Sequence, residues 1–172
     1  MKIVVVGTRG IPDIQGGVET HCEELYPRLA AMGHDVTVVR RSCYVTPQNK
    51  IKEYKGVHLK DIYAPRRKSI EAIVHTFLAI IYARWDGADV LHIHAIGPAL
   101  LTPLARLLGL RVVMTHHGPD YDRQKWNKTA KSVLRWGERM GTNYANEVIV
   151  ISTVIDNILR EKNDRTDAHL IY

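Results

Sequence analysis

The sequence predicts an α/β domain: a Rossmann-like, doubly wound, mostly parallel sheet with helices on both faces. Short apolar, β-branched runs alternate with longer segments of helical period along the chain, as repeated strand–helix–strand units require. Runs such as Ile3-Val4-Val5-Val6 and Val148-Ile149-Val150-Ile151 are continuously apolar, as strands buried on both faces must be. Glycines follow several segments at the places where a helix or strand has to stop, Gly7, Gly33 and Gly109 among them.

Taken in order, residues 3–6 read as a strand, followed by a turn-rich stretch at 7–17. Residues 19–32 read as a helix with Leu25, Leu29 and Met32 on its apolar face and Gly33 as its stop. Strands are expected at 36–39 and 57–62. A helix at 69–85 opens after Ala64-Pro65, and a strand follows at 90–93. A helix at 98–108 leads to a strand at 112–115 and a helix at 125–144. The last elements are a strand at 148–151, a helix at 153–161 and the start of a strand at 168–172. The sequence stops within that last strand, as expected of a domain cut from a longer protein.

At 172 residues the chain suits one domain with its own core. The net charge of +6 favours anionic partners without choosing among them. Cys22 and Cys43 form no metal-type spacing, which fits a reducing, cytoplasmic setting. The opening apolar run is too short for a signal peptide. The longest uncharged stretch, residues 90–105, carries two histidines and two prolines and makes a poor membrane span.

In such sheets ligands sit beyond the carboxyl ends of the strands. After the first strand, Gly16 and Gly17 open a helix, whose first turn exposes unpaired N–H groups and a partial positive charge. A phosphate or sugar oxygen could approach the backbone closely there. Thr8 and Arg9 follow Gly7, so the dinucleotide fingerprint is not matched, and no Gly-Lys-Ser/Thr completes a Walker loop. Later strand ends carry His92 and His94, then His116 and His117. His92 reads as a buried, hydrogen-bonded ring, while His94 and His117 lie nearer the tips, where polar groups meet ligands. No HExxH, cysteine partner or carboxylate bridge accompanies these histidines, so no metal is assigned. Basic residues gather at Arg40-Arg41, at Arg66-Arg67-Lys68 and between Arg123 and Arg139, including Lys125, Lys128, Lys131 and Arg135. With Trp85, Trp126 and Trp136 they suit an anionic membrane surface or a lipid-phosphate acceptor. No RNA-recognition motif is present, and no nucleic-acid partner is expected.

Gly7-Thr8-Arg9-Gly10-Ile11-Pro12 followed by Gly16-Gly17-Val18-Glu19-Thr20 resembles the bacterial retaining glycosyltransferases of family 4, most nearly a rhamnosyltransferase-like branch. Gly33-His34-Asp35-Val36-Thr37-Val38, Asp89-Val90-Leu91-His92-Ile93-His94, Thr115-His116-His117-Gly118 and Val148-Ile149-Val150-Ile151-Ser152 extend the likeness across nearly the whole chain. The resemblance implies a GT-B fold, with residues 1–172 as its N-terminal, acceptor-side half. The donor-binding C-terminal half would lie outside this sequence. It implies Gly16 and Gly17 beside the donor diphosphate and His117, the catalytic candidate, near the transferring sugar. Thr8, Arg9, Gly10, His94, Asp120 and Ser152 would be further substrate contacts on the cleft wall. His117 fits a hydrogen bond to a sugar hydroxyl or the backbone better than the role of a base. The implied partners are a nucleotide-sugar donor, as substrate rather than cofactor, and a saccharide or lipid-linked acceptor in cell-surface polysaccharide synthesis. The implied place is the cytoplasm or the inner face of the membrane.

The family's paired glutamates, eight positions apart in its second half, are absent here, so the chain alone is expected to be inactive. Asp120 and Asp122 lengthen the loop after His117 without an assigned role. Competing readings are a non-catalytic Rossmann-like module for a phosphorylated ligand or sugar, and a metal-dependent hydrolase built on the His-x-His strand. A sugar-nucleotide epimerase is weakened by the missing dinucleotide fingerprint.

Overall fold

The computed structural model describes every residue except Lys68, Ser69, Arg123, Lys125, Asp164 and Tyr172. In chain order the elements are β1 (Lys2–Val6), α1 (Gly17–Ala31), β2 (Asp35–Arg41), β3 (Glu53–Tyr54), β4 (Val57–Ile62), α2 (Glu71–Trp85) and β5 (Val90–His94). They continue with α3 (Thr102–Leu107), β6 (Val112–His116), α4 (Lys128–Tyr144), β7 (Glu147–Val150), α5 (Thr153–Asn163) and β8 (His169–Leu170). The strands form one sheet in the order β3-β4-β2-β1-β5-β6-β7-β8. Every pairing is parallel except the short β3–β4 hairpin.

The order reverses at β1. From β1 the chain builds outward through β2 to β4, then returns to lay β5 on the other flank of β1 and continues through β6 to β8. The carboxyl ends of β1 and β5 therefore meet where their following segments leave in different directions, and a crevice opens there. Gly7, just past β1, has a φ of 96°, and a Cβ at that position would overlap the His94 backbone carbonyl. Only glycine lets the two strand ends come this close.

Alternation along the strands sorts two cores. Ile3, Val5, Val36 and Val38 face Cys22 and Tyr26 of α1. Val4, Val6, Leu91, Ile93, Met114 and Val148 face Ala79, Ile80 and Ala83 of α2 and Ile155 and Leu159 of α5. Helices thus cover both faces, and the period of two puts His92 and His94 on the face of Val5 and α1.

Several boundaries differ from the sequence reading. The expected helix at 98–108 is a 3-10 turn (Pro98–Leu101) followed by α3, because Pro103 cannot supply the backbone donor a continuous helix would use. Of the expected helix at 125–144, the Asn127 side chain caps a start at Lys128 by accepting from the Ala130 N–H. The helix expected from Ser69 runs from Glu71, with Ser69 itself outside the described residues. The last strand is confined to His169–Leu170, with Tyr172 outside them. The β3 hairpin escaped notice because two residues show no period. Met32, expected on the buried face of α1, is 72% exposed, and the buried face is Glu19, Cys22 and Tyr26. Among the described residues no helix is long and apolar enough to cross a membrane.

Candidate functional site

The segment after β1 is held from below. Glu19, in the first turn of α1, is buried, and its Oε1 accepts from the Arg9 N–H (2.8 Å) and the Thr8 hydroxyl (3.2 Å). The Gly10 N–H donates to Thr8 Oγ1. Thr8 and Gly10 are buried, so Thr8 shapes the loop, a departure from the sequence reading of both residues as substrate contacts. Arg9 is partly buried, donates to the Gln15 carbonyl and lies over the Tyr44 ring.

Arg40 and Arg41, read from sequence as part of a basic surface, are internal braces. Arg40 is fully buried, pairs with Asp61 at 2.6 Å and donates to the carbonyls of Ile11, Asn49 and Ile51. Arg41 pairs with Glu71 at 2.7 Å and donates to the Gly7 carbonyl. A guanidinium presents a rigid fork of five donors, which suits such a multiply accepted, buried post.

Above this base lies the start of α1. Gly16 caps it without any side-chain bond, and the first backbone bond of the turn runs from the Thr20 N–H to the Gly16 carbonyl. Gly17 is exposed and Gly16 partly so. Among the described residues the amides ahead of Thr20 have no hydrogen-bond partner, and they form the electropositive start of a helix whose first turn also carries the Glu19 carboxylate.

One turn into α1, His21 packs edge-on against His117 (ring centroids 5.1 Å apart) and His94 (5.7 Å). The glycine doublet and His117 thus belong to one place on the sheet edge. The neighbouring imidazoles form a chain. Thr115 Oγ1 is 2.7 Å from His92 Nε2, and the buried Tyr26 hydroxyl bridges His92 Nδ1 (2.8 Å) and His94 Nε2. His94 Nδ1 is 2.8 Å from His117 Nε2. His92 is buried and hydrogen-bonded as the sequence reading held. His94, expected at an open tip, is fully buried, and of these three rings only His117 is partly exposed.

The loop carrying His117 has its own anchor. The Gly118 N–H donates to His116 Nδ1 (3.0 Å), which leaves the proton on Nε2 to donate to Glu138 Oε1 (2.7 Å). The Tyr121 hydroxyl also donates to that buried carboxylate. Asp120 is partly buried in the same loop. Ser152 caps α5, its Oγ accepting from the Ile155 N–H, and is partly buried. That position accounts for Ser152 structurally.

Sequence reasoning missed His21, Tyr26, Glu19 and Glu138. Glu138 stands between Gly137 and Gly141 on the tightly packed face of α4, and a charge flanked by small residues was the available signal. His21, His94 and His117 each offer one ligand atom, all within 4.8 Å of one another. They are the cluster among the described residues that could hold a metal. However, His94 Nδ1 and His117 Nε2 stand at hydrogen-bond distance. Two nitrogens on a tetrahedral zinc would be about 3.3 Å apart.

Burial holds these rings neutral. It lowers the pKa of His92 to about 3 and of His117 to about 4, and takes His94 well below the usual histidine range. Neighbouring imidazoles add to each shift. Unfolded histidines titrate near pH 6.5, so below that pH the unfolded chain binds more protons than the folded one. Stability is therefore complete above about pH 6.5 and falls as the pH drops towards 4, by up to roughly 1.4 kcal/mol per pH unit for each ring. The urea midpoint should hold steady from pH 8 to 7 and decline from pH 6.5 to 4.5. A midpoint insensitive to that acid range would contradict neutral burial of the chain.

The family model described as Glycosyltransferase Family 4 matches residues 15–172. Comparison with curated protein sequences gave no match. Among solved structures, sucrose-phosphate synthase from Thermosynechococcus elongatus is 20% identical with a TM-score of 0.74, covering 98% of this chain and 46% of its own. Phytolacca americana UGT2, complexed with UDP-2fluoro-glucose and pterostilbene, is 12% identical with a TM-score of 0.59, over 99% of this chain and 53% of its own. Arabidopsis thaliana UGT89C1, complexed with UDP-L-rhamnose, is 10% identical with a TM-score of 0.54, over 99% and 51%. At these identities the likeness is one of fold, and the chain spans about half the length of each of these three structures. The family match runs from the glycine doublet through the His117 loop to the last strand, and the chain belongs to glycosyltransferase family 4.

Proposed function

We propose that this chain is the N-terminal, acceptor-side half of a glycosyltransferase that moves a sugar from a nucleotide-sugar donor to a saccharide or lipid-linked acceptor. The observation that carries this reading is the open amide end of α1 at Gly16 and Gly17, beside His117, the one ring of the hydrogen-bonded set His92, His94 and His117 that is partly exposed. A diphosphate leaving group gathers negative charge as the glycosidic bond breaks. Preorganised amides at a helix start would offset that charge without reorganising. His117 beside them would hydrogen-bond the transferring sugar and fix its orientation. Arg9, partly buried near the helix start, would add positive charge, so the reading needs no resident metal or cofactor. Asp120 and the buried His94 would act on the acceptor side, the latter through His117.

The opposite wall of the cleft would come from a second Rossmann-like half, in keeping with the half-length coverage of the solved structures. The donor sugar is proposed to be of rhamnosyl or hexosyl type, on the likeness of Gly7-Thr8-Arg9-Gly10-Ile11-Pro12, and the transfer to retain anomeric configuration. The product would enter cell-surface polysaccharide. In the two-domain enzyme, His117→Ala should lower kcat by about 100-fold, while the isolated chain should show no sugar transfer. Unchanged turnover per active site in that variant would remove His117 from the reaction, and real turnover by the isolated chain would overturn the two-wall reading.

A lipid-linked acceptor would place the enzyme on the inner face of the cytoplasmic membrane. Supporting this, α4 turns Val133, Trp136 and Tyr144 outward beside Arg135 and Arg139. Such a mixed apolar and basic face suits an anionic lipid surface. The chain should sediment with phosphatidylglycerol vesicles at low salt and not with phosphatidylcholine ones, and Trp136→Ala with Arg139→Ala should weaken it several-fold. Equal behaviour towards both lipids would remove the membrane from the proposal.

A further inference from the structure

The row Thr115–His92–Tyr26–His94–His117 joins β6, β5 and α1 through four successive hydrogen bonds. Each interior member touches its two neighbours through two different atoms or lone pairs. A neutral imidazole carries one N–H and one bare nitrogen, and the tyrosine hydroxyl has a single proton. When Tyr26 gives its one proton to a neighbour in the row, placing one proton places every other, and two arrangements remain. A third, with Tyr26 accepting from both rings, would leave its own buried hydrogen unmatched among the described residues.

In the first, the Thr115 hydroxyl donates to His92 Nε2, and His92 Nδ1–H donates to the Tyr26 oxygen. Tyr26 then donates to His94 Nε2, and His94 Nδ1–H donates to His117 Nε2. His117 carries its own proton on Nδ1. In the second, every bond points the other way. All three rings are then Nε2–H, and His117 shows a bare Nδ1.

The two arrangements differ at the buried end. Thr115 is fully buried, and among the described residues its hydroxyl has His92 as its one hydrogen-bond partner. In the second arrangement Thr115 accepts from His92, and its own hydrogen has nowhere to go. An unmatched buried donor carries the full cost of its desolvation. In the first arrangement every buried hydrogen is used. The intrinsic preference of a free histidine side chain for Nε2–H opposes the first arrangement, and the Thr115 hydroxyl overrides it.

We infer that Thr115 is a positioning residue: through His92, Tyr26 and His94 it sets all three histidines as Nδ1–H tautomers, so that His117 presents an N–H donor rather than a lone pair at the crevice. Nδ1 of His117 has no partner among the described residues, and the ring is partly exposed. His117 then recognises an oxygen acceptor, such as a hydroxyl, ring or phosphoryl oxygen. It cannot take a proton there without disturbing the whole row. The identity of that oxygen as part of a sugar rests on the proposed transfer reaction, whereas the tautomers rest on the hydrogen bonds alone.

The test is a long-range proton–nitrogen correlation spectrum of the purified chain labelled with nitrogen-15 in histidine, at pH 7.5. His92, His94 and His117 should all appear as Nδ1–H, the form rare for exposed histidines. Thr115→Val, close to isosteric, leaves His92 Nε2 unpaired in either form, so the intrinsic preference for Nε2–H decides and all three rings should convert to it. Tyr26→Phe should convert His94 and His117 only, because His92 keeps its bond to Thr115. Native dispersion of the amide spectrum confirms that each variant is folded. Nε2–H at His117 in the unsubstituted chain would overturn the inference, as would a His117 tautomer indifferent to both substitutions. The readout is a proton position and not turnover. Failure of the sugar-transfer reading would therefore leave the tautomer result standing, and the reverse holds as well.

Discussion

The Tyr26 hydroxyl, buried between α1 and β5 and bonded to two imidazoles at once, is the tie on which the functional edge of this domain depends. Helix α1 carries the open amide end at Gly16 and Gly17, and β5 leads through His94 to His117. Tyr26 binds that helix to that strand at the point where the strand order reverses. A sheet crevice becomes a defined site only when the groups on its two sides are held in register. Here one phenol and three imidazoles do so from within the domain, where hydrogen bonds are strong because no water competes for them.

Beneath this tie, charged residues do structural work that a surface reading would not assign to them. Glu19 folds the loop at Thr8 and Arg9 back onto the helix start, while Arg40 and Arg41 brace the same loop from β2. Buried ions need partners, and each of these side chains has at least two, although Arg41 Nε has none among the described residues. The consequence for function is a glycine-rich segment that is firmly held up to Gly10 and exposed at Gly17. A stiff lower loop lets the free amides keep their direction when an anion arrives, which is what makes such amides effective.

The fold was legible in the sequence because period and composition agree along it. Continuous apolar strands such as residues 3–6 and 148–151, and glycines at the helix ends, left few alternatives. The carboxyl-edge location of Gly16, Gly17 and His117 followed from the topology alone. What escaped was the layer that holds these groups. Tyr26 sits among Leu25, Leu29 and Met32, to which helical period pointed; Leu25 and Leu29 do pack against the core, but the fully buried positions are Cys22 and Tyr26. The polar partner that turned the helix towards Tyr26 lies on β5, far away in sequence. His21, Glu19 and Glu138 were hidden for the same reason: a charge or a ring on a helix reads as solvated until the opposing strand is known. Arg40 and Arg41 looked like surface charge because their partners are distant in sequence: Asp61 on β4, Glu71 at the start of α2, and backbone carbonyls of loops without pattern.

A crystal structure of the proposed two-domain enzyme with a nucleoside diphosphate and an acceptor bound would test the account most directly. Diphosphate oxygens within hydrogen-bond distance of the amides at the start of α1, with the reacting sugar against His117, are the predicted result. A diphosphate held wholly by the second domain, with the Gly16–Gly17 turn facing only solvent, would contradict it.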